Sequence, residues 1–372
     1  MIYLSAPHLT GEEQPYLQQV FESNWITSAG HCIDLLEQRF QEKLSVPYAV
    51  ALNSGTSAIH LGLKGLGIGA GDTVISPTFT FVASANPIVY QQATPIFVDS
   101  EPLTWNLDPV YLEEAIKTSI KKGKKPKAIV VVYLYGQPAQ MERIQAIAEH
   151  YDIPILEDAA EALGSSWQQQ KLGGLGDVGV ISLNGNKIIT ASGGGILLTK
   201  EEAIAQKVKF WATQAREPVP YYQHTTIGYN YSMSNVLAAI ACGQMEVLED
   251  RVTKRRSIFQ YYQKHLKEIA GIHFWEEPTG CFSNRWLSCI LLSKDIKCKP
   301  EQLIQSLWEA GIEARRLWKP MHLQPLYNAY PYFGEQVAED LFERGLCLPS
   351  SSSLTEAQLD YIIEQIRTNI KK

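Results

Sequence analysis

The segment Ile181–Gly195, ISLNGNKIITASGGG, runs from an apolar β-like stretch into a polar, glycine-rich turn that carries one lysine, Lys187. The stretch Val178–Leu183 has the length of a buried strand, and Gly195–Thr199 supplies another beyond the turn. A lysine four residues past a buried strand stands where it is partly desolvated. Desolvation lowers the pKa of an amine, and the neutral amine is the form that attacks an aldehyde. Taken alone, Lys187 reads first as a solvated turn residue.

The upstream segment Ile153–Asp158, IPILED, changes that reading. It is an apolar strand ending in two carboxylates, followed by Ala159, Ala160 and Glu161. A strand-end aspartate followed by a strand-end lysine is the pair that pyridoxal 5'-phosphate (PLP) needs. The lysine forms an imine with the cofactor, and the aspartate keeps the pyridine nitrogen protonated so that the ring can accept electrons.

The 372 residues can bury a substantial core and suggest a large and a small domain. A formal charge of −6 speaks against nucleic acid as a partner. The basic run Lys121–Lys127 falls between a helix-like and a strand-like stretch and reads as a solvated loop. Cys32, Cys242, Cys281, Cys289, Cys298 and Cys347 have no C-x-x-C spacing, which fits a reduced cytoplasmic protein without a zinc site. No signal-peptide pattern opens the chain and no apolar run has membrane-spanning length, so a soluble protein without membrane insertion is expected.

Strands are expected at Tyr48–Leu52, Thr73–Ile75, Pro95–Val98, Ala128–Leu134 and Ile153–Leu156. Helices are expected between them at Ala58–Leu66, Phe81–Tyr90, Pro109–Ile120 and Met141–His150. This alternation predicts an α/β fold: a large domain with a mainly parallel sheet sandwiched by helices. The long charged helix Arg251–Leu266 is expected to lead into a second domain, and from about residue 270 the elements shorten. They include a strand at Glu313–Trp318 and a closing helix at Thr355–Ile370, which suggests domains at 1–250 and 251–372, the second a smaller C-terminal α+β unit.

Asn53–Ser57, NSGTS, joins a strand to a helix. Its backbone N–H groups and hydroxyls suit either a phosphate or plain N-capping. With Lys187 and Asp158 on neighbouring strand ends, the phosphate is the better explanation. Gly174–Gly179, GLGDVG, matches the dinucleotide fingerprint G-x-G-x-x-G, but a polar segment precedes it and a strand follows, so that reading fails. Phe79 and Phe81, in PTFTFVASAN (77–86), default to core packing; one of them, Phe81 by preference, covering the cofactor ring is the alternative. GYNYSMSN (228–235) reads as a capping loop before a helix.

Several motifs stand in one order: NSGTSAIHLGL (53–63), SPTFTFVASANPI (76–88), EDAAEALGS (157–165), NGNKIITASGGG (184–195), GYNYSMSN (228–235) and KPMHLQPLY (319–327). Together they resemble the DegT-type nucleotide-sugar aminotransferases, PLP enzymes of fold type I, across essentially the whole chain. The resemblance implies that Lys187 carries the cofactor, Asp158 pairs with the ring nitrogen, and Glu161 lies near the ring 3-hydroxyl or the substrate. It implies Gly55, Thr56 and Ser182 at the phosphate, Phe81 on the ring, and Asn230 at the phosphate of a neighbouring subunit in a homodimer. Two departures stand out. Ile181-Ser182-Leu183 replaces an aromatic-Ser-aromatic pattern, and Ser232 stands where relatives commonly have arginine.

Asn-Gly-Asn-Lys-Ile-Ile-Thr and Trp211–Tyr231 resemble most the branch acting on UDP-4-keto-6-deoxy-N-acetylhexosamines, as in bacillosamine-type synthesis. That resemblance implies an amino-acid donor, glutamate, giving its nitrogen to the C4 ketone of the sugar. The regions that relatives use for substrate place Trp25, Thr27, Arg216, Lys319 and His322 at a nucleotide-sugar rim. Trp25 has interface packing as its plainer reading, and Lys319 and His322 have surface positions beside Pro320. A GDP- or dTDP-linked 4-keto-6-deoxyhexose is the alternative substrate. A sugar dehydratase on the same scaffold replaces the lysine with histidine, and a non-catalytic regulator is expected to lose Lys187, Asp158 or the phosphate residues. This chain keeps them all.

Overall fold

Alternate residues of the long strands feed two different cores, which is why those strands read as near-continuous apolar runs. Val50, Leu52, Val130, Val132, Leu156 and Val180 face one core, while Ala49, Ala51, Ile129, Val131, Ile155 and Ile181 face the other. The computed structural model describes residues 1–370. Its strands are β1 (Tyr48–Leu52), β2 (Thr73–Pro77), β3 (Thr94–Val98), β4 (Ala128–Val132), β5 (Ile155–Asp158), β6 (Ser166–Trp167), β7 (Gln170–Lys171) and β8 (Val178–Ser182). They continue as β9 (Gly195–Thr199), β10 (Ile272–Phe274), β11 (Cys281–Phe282), β12 (Ser288–Leu292), β13 (Arg315–Arg316), β14 (Tyr332–Phe333) and β15 (Gly345–Leu348).

The large sheet has the order β1-β9-β8-β5-β4-β2-β3-β14. The pairs from β8 through β5, β4, β2 and β3 to β14 are parallel. Strand β9 alone runs against its neighbours β1 and β8. A sheet of this kind, covered by helices on both faces, opens its ligand crevice at the carboxyl ends of the strands. A second sheet, β10-β12-β15-β13, shares a separate apolar core with residues of the helices Leu248–Leu266, Pro300–Glu309 and Glu356–Ile370. Position 251 lies inside the first of these helices, and β14 returns from the C-terminal segment to the edge of the large sheet. Among the described residues, no helix is long and apolar enough to cross a membrane.

Three expected elements differ in extent. The helix expected at Phe81–Tyr90 is a 3-10 turn, Val82–Ser84, then a short helix, Asn86–Tyr90. Pro87 lacks an N–H and is tolerated only in the first turn of a new helix. Strand β4 stops at Val132 because the chain turns at Leu134–Gly136, where Tyr135 takes φ +53°. Of Glu313–Trp318, only Arg315 and Arg316 pair, with β15.

The GLGDVG segment has a structural use. Glu157 is fully buried on the face of β5 opposite Asp158, and its carboxylate accepts the N–H groups of Gly173, Leu175 and Gly176 and the hydroxyl of Tyr133. The glycines allow close approach: a Cβ at Gly179 would lie 1.9 Å from the Gly173 carbonyl oxygen.

Candidate active site

Strand β5 delivers Asp158 to the carboxyl edge of the sheet, and β8 delivers Ser182 beside it. Beyond Ser182 the chain makes an excursion closed at its base by Leu183 N–H to Gly194 O (2.9 Å) and Ala191 N–H to Leu183 O (2.9 Å). Ile188 and Ile189 are buried in the core below, so Lys187 immediately before them is held at the rim. Its side chain is 12 % exposed, with Nζ 3.6 Å from Glu161 Oε1 and 4.2 Å from the centroid of the Trp286 ring. The desolvated strand-end lysine read from the sequence is therefore in place geometrically.

Asp158 is buried, and burial raises its pKa above the ordinary aspartate value. The Ser84 hydroxyl, the Ala160 N–H and the charge of Lys187 pull the other way. Ser84 Oγ lies 2.6 Å from Asp158 Oδ2, and Ala160 N lies 3.2 Å from Oδ1. Glu161 is likewise pushed up by burial and drawn down by Lys187; its Oε2 accepts the Tyr135 N–H at 2.7 Å. Three ionisable side chains, Asp158, Glu161 and Lys187, thus share a largely buried site.

At the other end of the crevice the helix Gly55–Gly65 begins, its positive end directed at the site. Ser54 caps it by accepting the Ser57 N–H, so the Thr56 hydroxyl and the hydroxyl of Ser182 remain beside the first turn. A Cβ at Gly55 would come within 3.1 Å of Ser182 Cβ, which places helix start and strand end in direct contact. Asp158, Glu161, Lys187, Gly55, Thr56, Ser182 and Phe81 all line one cavity of about 320 Å³. Phe81 is 47 % exposed and tilted against Trp318, with centroids 5.1 Å apart.

The other residues singled out in the sequence do not line that cavity. Asn230 is exposed, while Tyr229 and Tyr231 on either side of it turn inward against His60. Trp25 and Thr27 are exposed on a loop held by Asn235, which accepts nothing from them but donates to both carbonyls, at 3.0 and 2.8 Å. Arg216 is exposed and stacked on Tyr222. Lys319 is half-buried, its carbonyl accepting from Gln324. His322 has both ring nitrogens engaged, Nδ1 with Thr78 Oγ1 at 2.6 Å and Nε2 with Glu339 at 3.2 Å, and it stacks on Tyr332. Ser232, the departure noted above, donates to the Ala212 carbonyl.

Sequence reasoning missed four residues of the site: Ser84, Trp286, Trp318 and Asn186. Ser84 lies four positions after Thr80 within a motif already recognised, so its spacing was a usable signal. Trp318 stands directly before KPMHLQPLY, so its position was a usable signal too, while Trp286 comes from a remote segment and carries no local signature. They sandwich Tyr135, stacked at 6.3 and 6.4 Å, and this aromatic block walls the lysine side of the cavity.

This donor set fits PLP. An amine, a buried carboxylate held ready by a hydroxyl, a helix N-terminus flanked by hydroxyls and an aromatic face surround a cavity that suits a small aromatic phosphate. The comparisons agree. The chain matches the DegT/DnrJ/EryC1/StrS aminotransferase family over residues 7–367. It is 46% identical to EpsN of Bacillus subtilis, named as a pyridoxal phosphate-dependent aminotransferase, over 98% of this chain and 94% of that one. It is 38% identical to the GDP-perosamine synthase of Escherichia coli O157:H7, covering 97% and 96%. A crystal structure of a DegT DnrJ EryC1 StrS aminotransferase from Brucella abortus superposes with a TM-score of 0.90 at 31% identity, covering 97% and 96%. The chain belongs to the DegT/DnrJ/EryC1/StrS aminotransferase family and is a PLP-dependent sugar aminotransferase.

Proposed function

We propose that this enzyme moves an amino group from glutamate to the C4 ketone of a nucleotide-linked 4-keto-6-deoxy sugar, with UDP-4-keto-6-deoxy-N-acetylhexosamine as first choice. The observation that carries the reading is the shared cavity of Lys187, Asp158 and Glu161, with Lys187 Nζ 3.6 Å from the Glu161 carboxylate. When bound there, PLP supplies an electron sink for a carbanion at the amino-bearing carbon.

The chain's own residues do the rest. Asp158, oriented by Ser84, would accept a hydrogen bond from the protonated ring nitrogen. Gly55, Thr56 and Ser182 would hold the phosphate, and Phe81 would cover one ring face. Lys187 would serve as the base that moves the proton at sugar C4; a positioned base of this kind is worth roughly 10²–10⁴ in rate. Glu161 balances the charge on that amine as it gains and loses the proton. The Trp286–Tyr135–Trp318 block keeps water from the lysine side.

The same reading makes the active unit a homodimer with shared sites. Asn230 is exposed and does not line its own chain's cavity, which is compatible with a residue serving the neighbour's phosphate. Phe21, Trp25, Ile26, Tyr221, Tyr222 and Ile227 are large apolar residues left exposed, the composition of a surface that a second copy covers. Trp25, Thr27, Arg216, Lys319 and His322 then form the nucleotide-sugar rim, with His322 acting through Thr78.

The UDP choice rests on the NGNKIIT segment and Trp211–Tyr231. The 38% identity to a GDP-perosamine synthase favours a second reading, a GDP-linked 4-keto-6-deoxyhexose. Amino transfer from glutamate to both sugars, measured side by side, decides between them. Efficient turnover of the GDP sugar without the UDP sugar overturns the first choice; turnover of neither removes the substrate class.

A further inference from the structure

The carbonyl of Asn186, the residue immediately before Lys187, accepts two hydrogen bonds from distant parts of the chain. Trp286 Nε1–H donates at 2.7 Å and the Ser5 hydroxyl at 2.6 Å. Both donors are tied to one guanidinium. Arg255 donates through one terminal nitrogen to the Trp286 carbonyl and through the other to Ser5 Oγ at 3.1 Å. With that N–H occupying a lone pair of Ser5, the serine proton is left to point at Asn186.

Arg255 is buried, and among the described residues no carboxylate forms an ion pair with it; burial and the neighbouring Arg251 bring its pKa down to about 9. A lone buried cation is costly, so its place here is set by what it organises. Ser5 is seated as firmly. Ile2 and Gly311 pair backbones, Leu4 donates to Glu313 and accepts from Ser350, and Ala6 donates to Ser351. Trp286 is fixed from its other side, its N–H donating to Asn284 Oδ1, while Asn284 donates to the carbonyls of Glu161 and Leu163. One short segment, 284–286, therefore holds both the Glu161 turn and the Lys187 turn.

Building on the assignment of Lys187 as the attachment residue, we propose that Ser5 and Trp286 are positioning residues for Lys187. They clamp the Asn186 carbonyl so that the lysine leaves the loop in one direction, and the Trp286 ring face receives the amine when it is free. The segment before the first helix thereby becomes part of the reaction machinery.

The readout is the rate at which cofactor-free protein becomes linked at Lys187 after PLP is added. Nζ attacks the aldehyde carbon, the carbonyl oxygen leaves as water, and a C=N bond remains; borohydride then delivers hydride to that bond and freezes it for peptide mapping. Ser5→Ala removes one clamp from a half-buried site, and Trp286→Phe keeps a ring face but loses the N–H. Each slows linkage roughly 3- to 10-fold, the effect of losing one hydrogen bond; Ser5→Ala also takes a partner from the buried Arg255, so linkage is compared at a temperature where wild type and variant are both fully folded by circular dichroism. The double variant is less than multiplicative, because both donors act on one carbonyl. Ser5→Thr, which keeps the hydroxyl, restores the wild-type rate.

Linkage at the wild-type rate in Ser5→Ala overturns the proposal, as does failure of Ser5→Thr to rescue a slow Ser5→Ala. If Trp286→Phe does not fold, the Ser5 pair decides alone. Wild-type linkage at a lysine other than 187 is a different result: it overturns the attachment residue itself, and the clamp with it.

Discussion

Asp158 Oδ2 lies 2.6 Å from the hydroxyl of Ser84, and Ser84 Oγ lies 2.7 Å from Thr80 Oγ1. An ionised carboxylate only accepts, so Ser84 donates to Asp158 and Thr80 donates to Ser84. The order of protons is fixed by the aspartate, and the Ser84 hydroxyl favours its charged form against the effect of burial. Asp158→Asn should reduce the half-reaction with glutamate roughly 10²–10³-fold, the usual loss when a preorganised electrostatic partner is removed. Ser84→Ala should cost roughly 3- to 10-fold, one hydrogen bond's worth. Stopped-flow absorbance of the cofactor, at confirmed saturation, measures both; a wild-type rate in Ser84→Ala would mean that Asp158 is held by something other than Ser84.

The same carboxylate has an opposite effect on stability. Burial raises the pKa of Asp158 in the folded protein above its unfolded value of 3.8. The folded state then binds more protons than the unfolded state between those two values, so this group's contribution to stability falls as pH rises through the window. Above the raised folded pKa the full penalty is present. Asparagine carries no charge, and its Nδ2 can donate to Ser84, whose hydroxyl is free to reverse toward Thr80. Cofactor-free Asp158→Asn should therefore melt above the cofactor-free wild type at pH 8, by about 1 kcal/mol of stability. The difference should shrink as pH falls through the folded pKa toward 3.8. A difference that is flat across pH would remove burial of this charge as its cause.

Gly179 bears on the discarded dinucleotide motif. A Cβ there would meet backbone, the Gly173 carbonyl oxygen at 1.9 Å, and no flexible side chain could yield to it. Gly179→Ala should destabilise the protein by about 1–3 kcal/mol or more, as overpacking does. Differential scanning calorimetry of cofactor-free protein reads this directly. Unchanged stability with weakened nucleotide binding would return the segment to a ligand role.

What could be read in the chain follows from how local each signal is. Asp158 and Lys187 stood out because a strand end aims a polar residue into the crevice, and near-continuous apolar runs marked the strands themselves, since both of their faces are buried. The helix across Phe81–Tyr90 failed because apolar spacing hid the break at Pro87. Trp286 and Ser5 were invisible for another reason. Each reaches the site only through tertiary contacts, 100 residues from Asn186 in the case of Trp286 and 181 in the case of Ser5. Nothing in their neighbourhoods distinguishes them from core or surface residues. The pairing of Glu157 with the 173–176 turn was equally hidden, since alternate residues of one strand face opposite cores.

Asn230 supplies the last prediction. Tyr229 and Tyr231 pack inward against His60, while Asn230 between them is exposed and outside the lining of its own cavity. In a two-fold dimer, a residue that serves the neighbouring phosphate makes each site a composite of two chains. Asn230→Asp sets a negative charge against a phosphate and should abolish activity with little effect on the monomer fold, because the position is exposed. Lys187→Ala should be inactive for its own reason. Mixed at equal amounts and allowed to exchange subunits, the two inactive proteins form hybrids in which one site has both Lys187 and Asn230. Random assortment makes half the dimers hybrid, each with one intact site in two, so activity should recover to about a quarter of wild type. The check is turnover before and after exchange, with hybrid formation followed by native mass spectrometry. Confirmed hybrids with no recovered turnover would place Asn230 in its own subunit's site, or in none.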